Sequence, residues 1–294
     1  MNAVDASAIL RPDRRVKRRR IVNKLMEALA MLAALAAVAV LVAVVVAVVR
    51  HGASELNLDF FTKTPAGIFE PGGGLANAMV GTIVLVGLAT AMALPVGVLI
   101  AIFLTELAPK SLARPIQTAL DVMNGLPSII IGIFIYGVLV VGHQQSALAG
   151  SCALAIIALP LIARATQEVL RLVPNSLREA GLALGSARWR VIVGVILPTC
   201  VGGILTGTTL AVARIAGETA PLIFTSSLVT DKIVWNPLQA VQSLPVAIFE
   251  LSESADPADN ARAWAAGTVL LGAVLILSLA SKWAQARTRR KLGR

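Results

Sequence analysis

Long uncharged apolar runs, seventeen to thirty-odd residues each, dominate this 294-residue chain. A helix that crosses a bilayer needs about 20 apolar residues. Strands of a membrane barrel instead alternate apolar and polar residues in segments of ~10, and these runs do not alternate. The pattern predicts an all-α, polytopic membrane protein. Composition agrees: 57% of residues are hydrophobic, 14% are charged and the mean hydropathy is +0.81, whereas soluble domains are about half apolar and a quarter charged.

Six spans are expected: Ala28 to Val49, Leu75 to Leu104 with Pro95 inside, and about Ile116 to Val141. The others are about Ala147 to Leu170, from Val191 or Pro198 to about Gly217, and Trp264 to about Leu279. The first follows "RPDRRVKRRR", which resembles the start of a signal peptide. Its 22 apolar residues exceed a signal h-region of ~7–15, so a retained anchor is expected. The chain then divides into a basic arm 1–27, a first span 28–49, an external segment 50–74, a core 75–284 and a basic tail 285–294. Outside the spans, the Pro and Gly of "TPAGIFEPGGG" favour turns, and the acidic, turn-prone "ESADPADN" is expected to be a solvated loop.

Six spans put both termini on one side, and the charges say which. Of the 26 Lys and Arg, 21 fall in the arm, the 105–115 loop, the 164–190 segment and the tail. The opposite side receives Arg50, Lys63, Lys232, Arg262 and, counted as an outer-loop charge, Arg214. Both termini are therefore expected in the cytoplasm. The net charge of +10 reflects this retention and does not point to nucleic acid. Cys152 and Cys200 lie in or beside apolar runs and read as small buried hydrophobes. There is no Walker loop, no His cluster for a metal and no catalytic constellation.

One polar piece interrupts the late spans: "SLREAGLALGSARWRVIVGVILP", residues 176–198. Pro174 bars continuation of the preceding helix. Ser176 and Glu179 have capping-box spacing. Leu177, Gly181 and Leu184 recur on one helical face, and Gly185 suits the positive-φ position beyond a helix end. A short helix over 176–185 is expected. Alone in water it is marginal, so it needs a surface to pack on, either its own protein or a partner.

The same residues resemble the EAA loop of ABC-importer permeases, written Glu-Ala-Ala, three residues, Gly, nine residues, Ile-x-Leu-Pro. Here the string is Glu179-Ala180-Gly181, Gly185, then Val195-Ile196-Leu197-Pro198. Gly and Val replace one Ala and the Ile. From about Gly72 to Phe249 the chain is similar to the phosphate permeases of the PstA type, through "GLPSIIIGIF" and "LAVARIAGETAPLIFTSS" among others. The resemblance implies a type I, MetI-like permease in the bacterial inner membrane, itself no enzyme. It implies that Ser176, Leu177, Glu179, Ala180, Gly181, Leu184 and Gly185 dock on an ATPase. The partners implied are a paralogous PstC-type permease, a PstB-type ATPase dimer holding the ATP and Mg, a PstS-type phosphate-binding protein and membrane lipid. No cofactor is implied in this chain.

Ala213-Arg214-Ile215-Ala216-Gly217-Glu218-Thr219 is the string characteristic of phosphate permeases, and it has physical content of its own. If its helix starts at Pro198, Arg214 lies ~24 Å into a ~30 Å core. An Arg at such depth is costly and faces protein or a watery path. Gly203, Gly207, Leu210, Arg214 and Glu218 share a face, with the glycines allowing close helix approach or leaving room. Arg214, Glu218 and Thr219 are the expected substrate path; a structural ion pair is the competing reading. Pro95, Pro127 and Pro160 are expected to kink their helices, and Asp121 and Asn124 read as packing or interfacial polars. The same machine could carry sulfate, molybdate or phosphonate. An ion-driven transporter would show internal repeats, and none is evident.

Overall fold

The computed structural model describes residues 14–65, 73–227 and 232–291. The distal part of the basic arm, the middle of "TPAGIFEPGGG" and the end of the tail lie outside them. Contacts divide the chain into two compact units, residues 1–50 and 51–294. The first is described by a single apolar helix, α1 (Arg14–Gly52), whose last two residues belong to the second unit.

In the second unit a five-residue helix, α2 (Leu58–Thr62), precedes α3 (Ala76–Leu107), whose last five residues form a π turn. Next come α4 (Lys110–Gly125), α5 (Ser128–Val140), α6 (Ala147–Arg171) and α7 (Asn175–Ala183). The remaining helices are α8 (Arg188–Ile215), α9 (Ala220–Thr225), α10 (Leu244–Ser252) and α11 (Pro257–Lys291). A π turn, Ile192–Ile196, lies inside α8. Among the described residues five helices are long and apolar enough to cross a membrane, or six if α4 and α5 form one bent span. No strand is described.

The expected third span is the one that changes. Instead of one helix from Ile116 to Val141, α4 and α5 meet at 98°. Leu126 and Pro127 are both extended, with ψ of 134° and 131°. Proline disfavours helical backbone in the residue before it and then starts a new helix readily. Pro95 and Pro160 lie inside continuous helices. The fifth span also starts earlier than expected, at Arg188.

α6 is the hub. Its Ala149, Ala153, Leu154, Ile157 and Ala158 are buried with Leu85, Ala89 and Ala93 of α3, and the Ser151 hydroxyl donates to the Leu85 carbonyl at 3.1 Å. Small side chains let the helices approach, since lipid offers no hydrophobic drive between them. The α6–α8 contact is tighter still. A Cβ on Gly207 would lie 2.4 Å from that of Ala165, and one on Gly203 would lie 2.6 Å from Val169. The two glycines therefore serve close approach. Leu210, placed on their face by spacing, is 75% exposed. Gly207→Leu should destabilise the subunit by about 1–3 kcal/mol through overpacking, read as a lower unfolding temperature in detergent. Gly272→Leu, where an added Cβ meets nothing within 4 Å, is the matched control.

The segment between α8 and α11 carries the short helices α9 and α10, while "ESADPADN" after them is mostly exposed. α9 returns along the N-terminal end of α6: the Gln145 amide donates to the Phe224 carbonyl at 3.1 Å and the Ser146 N–H to that of Thr225 at 3.1 Å. Asn77 donates to Gln242 at 3.1 Å and Gln242 to Glu250 at 2.8 Å, which ties α10 to the start of α3. Burial pushes the Glu250 carboxyl above its usual range, while the Gln242 hydrogen bond opposes the shift.

Candidate functional site

A cavity of about 290 Å³ opens at the α4–α5 break. Its wall comprises Met123 to Ser128, Ile131, Ile157, Arg214 and Glu218. At ~30 Å³ per water it has room for a tetrahedral oxyanion and several waters. α6 and α8 run antiparallel, with Gly203 against Val169 and Gly207 against Ala165, and this pairing brings Arg214 level with Ile157. Ile157 sits ~15 Å from the Ala147 end of α6 and ~21 Å from the Arg171 end. Arg214, the second-last residue of α8, is therefore level with the middle of α6.

Arg214 is 55% exposed and its Nε stands 4.0 Å from Glu218 Oε1, the outer limit of an ion pair. Its guanidinium donates no hydrogen bond to any described residue. Asn124 and Ser128 line the same cavity, so the residue read as a packing polar, Asn124, belongs to the site. The first turn of α5 also faces it. Its backbone N–H groups carry the partial positive charge of a helix start. Thr219 does not line the cavity; it stands at the head of α9, where its carbonyl accepts from the N–H groups of Leu222 and Ile223.

The polar piece is a nine-residue helix, Asn175–Ala183, one residue earlier at its start and two shorter at its end than expected. Ser176 does not cap it, and the capping box with Glu179 does not form. Extended Pro174, at φ −61° and ψ 140°, occupies the cap position. The C-terminus follows the expectation closely: Gly185 has φ +76°. Its N–H donates to Leu182 O at 2.9 Å and that of Ser186 to Gly181 O at 3.3 Å, a Schellman arrangement.

The face of α7 is divided differently from the heptad-like reading. Leu177 packs against the cluster of Leu170, Val191 and Ile192. Gly181 sits on Val191, where a Cβ would be 2.8 Å from Cγ2. Leu184 turns away and is 86% exposed, beside Leu182 at 47%. Glu179 and Ala180 are exposed as well. One side of the helix holds to its own subunit and the other is bare. Spacing alone did not reveal Arg178, which donates to Glu106 from α7; a lone acid at the end of an apolar run was the available signal for Glu106.

Comparison with known proteins agrees with this architecture. Residues 93–293 match the family described as binding-protein-dependent transport system inner membrane component. The phosphate transport system permease protein PstA of Haemophilus influenzae is 38% identical over 263 residues, covering 89% of this chain and 93% of that protein. Its counterpart from Yersinia pestis is 37% identical over 281 residues, 94% of each. Among solved structures, a chain of a bacterial alginate ABC transporter superposes with a TM-score of 0.67 at 15% identity, covering 93% of this chain and 98% of that one. A chain of the MetNI methionine ABC transporter gives 0.59 at 18% identity, covering 75% and 96%. At these identities the structural likeness concerns the fold alone. With a family match over two thirds of its length and relatives aligned nearly end to end, this chain belongs to the binding-protein-dependent transport system inner membrane components, as a multi-pass permease of the PstA branch.

Proposed function

We propose that this chain forms part of the path for inorganic phosphate in an ATP-driven importer, with Arg214 as the anion-contacting residue. The observation that carries the reading is the contrast between two arginines. Arg178 is held by hydrogen bonds on every side, whereas Arg214 stands level with the middle of α6, facing a cavity with its donors unspent. An intramembrane Arg costs about 2.5–3.5 kcal/mol even on the mildest scale, so a position that leaves its donors free suits a transient anion better than a structural tie. Glu218 at 4.0 Å weakens the positive potential, so that phosphate leaves as well as arrives.

The exposed side of α7, with Leu182, Leu184, Glu179 and Ala180, docks on a separate PstB-type ATPase dimer that holds the ATP and Mg. The 21 basic residues gathered on one side support a cytoplasmic position for α7 and both termini. A paralogous PstC-type permease completes the pore, and a PstS-type binding protein delivers phosphate from the opposite side. This chain performs no chemistry itself. Uptake by reconstituted vesicles tests the reading: phosphate should enter only with ATP inside the ATPase compartment, and excess sulfate, molybdate or phosphonate should not compete. Competition by one of these, or uptake without ATP, would reassign the cargo or the energy source.

A further inference from the structure

Resting on the reading of α7 as the ATPase-docking helix, we infer that the Arg178–Glu106 pair makes α7 and the α3–α4 corner one rigid body. Through that body, motion of α7 reaches the cavity. Arg178 uses all five of its N–H donors. Nε donates to Glu106 Oε1 and Oε2 at 3.1 and 3.3 Å, and Nη2 to Oε1 at 2.8 Å. The second Nη2 proton goes to Leu170 O at 2.8 Å; Nη1 reaches Val173 O at 2.6 Å and Asn175 Oδ1 at 3.1 Å. One planar group thus binds the Leu170 carbonyl in the last turn of α6 and the Val173 carbonyl beyond it, spans the turn into α7 and grips the end of α3.

Glu106 is only 7% exposed, on the π turn that ends α3. A bidentate fork has one preferred geometry, so the grip fixes orientation as well as distance. Beyond Glu106, three residues lead into α4, which ends at the Leu126–Pro127 break lining the cavity. Near that far end Arg164 of α6 donates to the Asp121 carboxylate and to the Gln117 carbonyl at 3.2 Å. α4 therefore lies between two ties, the Arg178 grip on the end of α3 just before it and the Arg164 tie to α6 at Asp121, about 16 Å along the helix from Lys110. Because Arg178 also binds Leu170 O of α6, a push on α7 carries the end of α6 with the corner, and through Arg164 the far part of α4, just before the break at Pro127.

The test uses the complete transporter, with phosphate as cargo. Glu106→Gln keeps the side chain's shape but removes the charge that grips Arg178. It should retain the ATPase and basal hydrolysis, while phosphate moved per ATP falls about tenfold, within the range of site-to-site coupling energies. In the second arm, Thr105→Cys and Asn175→Cys, which both line the cavity beside the pair, are joined by a short bismaleimide. A rigid body tolerates that tether, so transport should persist, and the tether should restore coupling in Glu106→Gln. Unchanged phosphate per ATP in Glu106→Gln, or transport abolished by the tether in the otherwise wild-type chain, overturns the inference. Failure of the untethered wild-type complex to show ATP-dependent uptake would instead strike the parent reading.

Discussion

Arg214→Gln should leave the subunit assembled with its partners while phosphate uptake falls about 10- to 150-fold, the loss expected for one charge-assisted hydrogen bond of ~1.5–3 kcal/mol. Assembly should survive because Arg214 makes no hydrogen bond to the described residues and only a 4.0 Å approach to Glu218. Glutamine keeps a donor and most of the length, so the cavity wall at Asn124, Ser128 and Ile157 is preserved. Arg214→Lys should retain part of the uptake, since an ammonium keeps the charge but loses the fork. Uptake rates at saturating phosphate-binding protein, normalised to co-purified ATPase, measure the effect. Unchanged uptake by Arg214→Gln would return the residue to a structural role.

A second large effect is expected at α7. Leu184→Asp should weaken docking of the ATPase by roughly 30- to 700-fold, because an apolar residue buried at an interface centre contributes about 2–4 kcal/mol. Leu184 is 86% exposed in the subunit alone, so its substitution leaves the fold intact. Leu177→Asp should behave differently, since Leu177 packs inside its own subunit and a charge there destabilises the permease itself. Pull-down of the ATPase by each purified variant separates the two. Equal retention by Leu184→Asp and the wild type would place the docking surface elsewhere.

The spans were legible in the sequence because hydrocarbon selects residues by type, and type needs no knowledge of neighbours. Gly185 was legible for a similar reason: a positive φ narrows the choice of residue locally. The break at Leu126–Pro127 was harder. Proline is compatible with a kinked helix and with a fresh helix start, and only the packing of α4 against α6 through Arg164 decides between them. Ser176 shows two local signals in competition, where Pro174 takes the cap position that a hydroxyl would otherwise fill. The Glu106–Arg178 pair joins residues 72 positions apart, and no periodicity encodes such a partner. The cavity at Arg214 combines both cases: the arginine was conspicuous, but Asn124 and Ser128 reach it only because α4 and α5 meet at a sharp angle.

The π turn at Ile192–Ile196 sets the rotational phase of everything above it. A π turn carries one residue more than an α turn, and each residue of an α-helix advances by ~100°. Without that surplus residue the upper part of α8 would be wound by about a quarter-circle, swinging Gly203 and Gly207 off α6 and Arg214 away from its cavity. The aim of the Arg214 guanidinium into its cavity is thus decided some twenty positions earlier, at the foot of the helix, where it rests on α7.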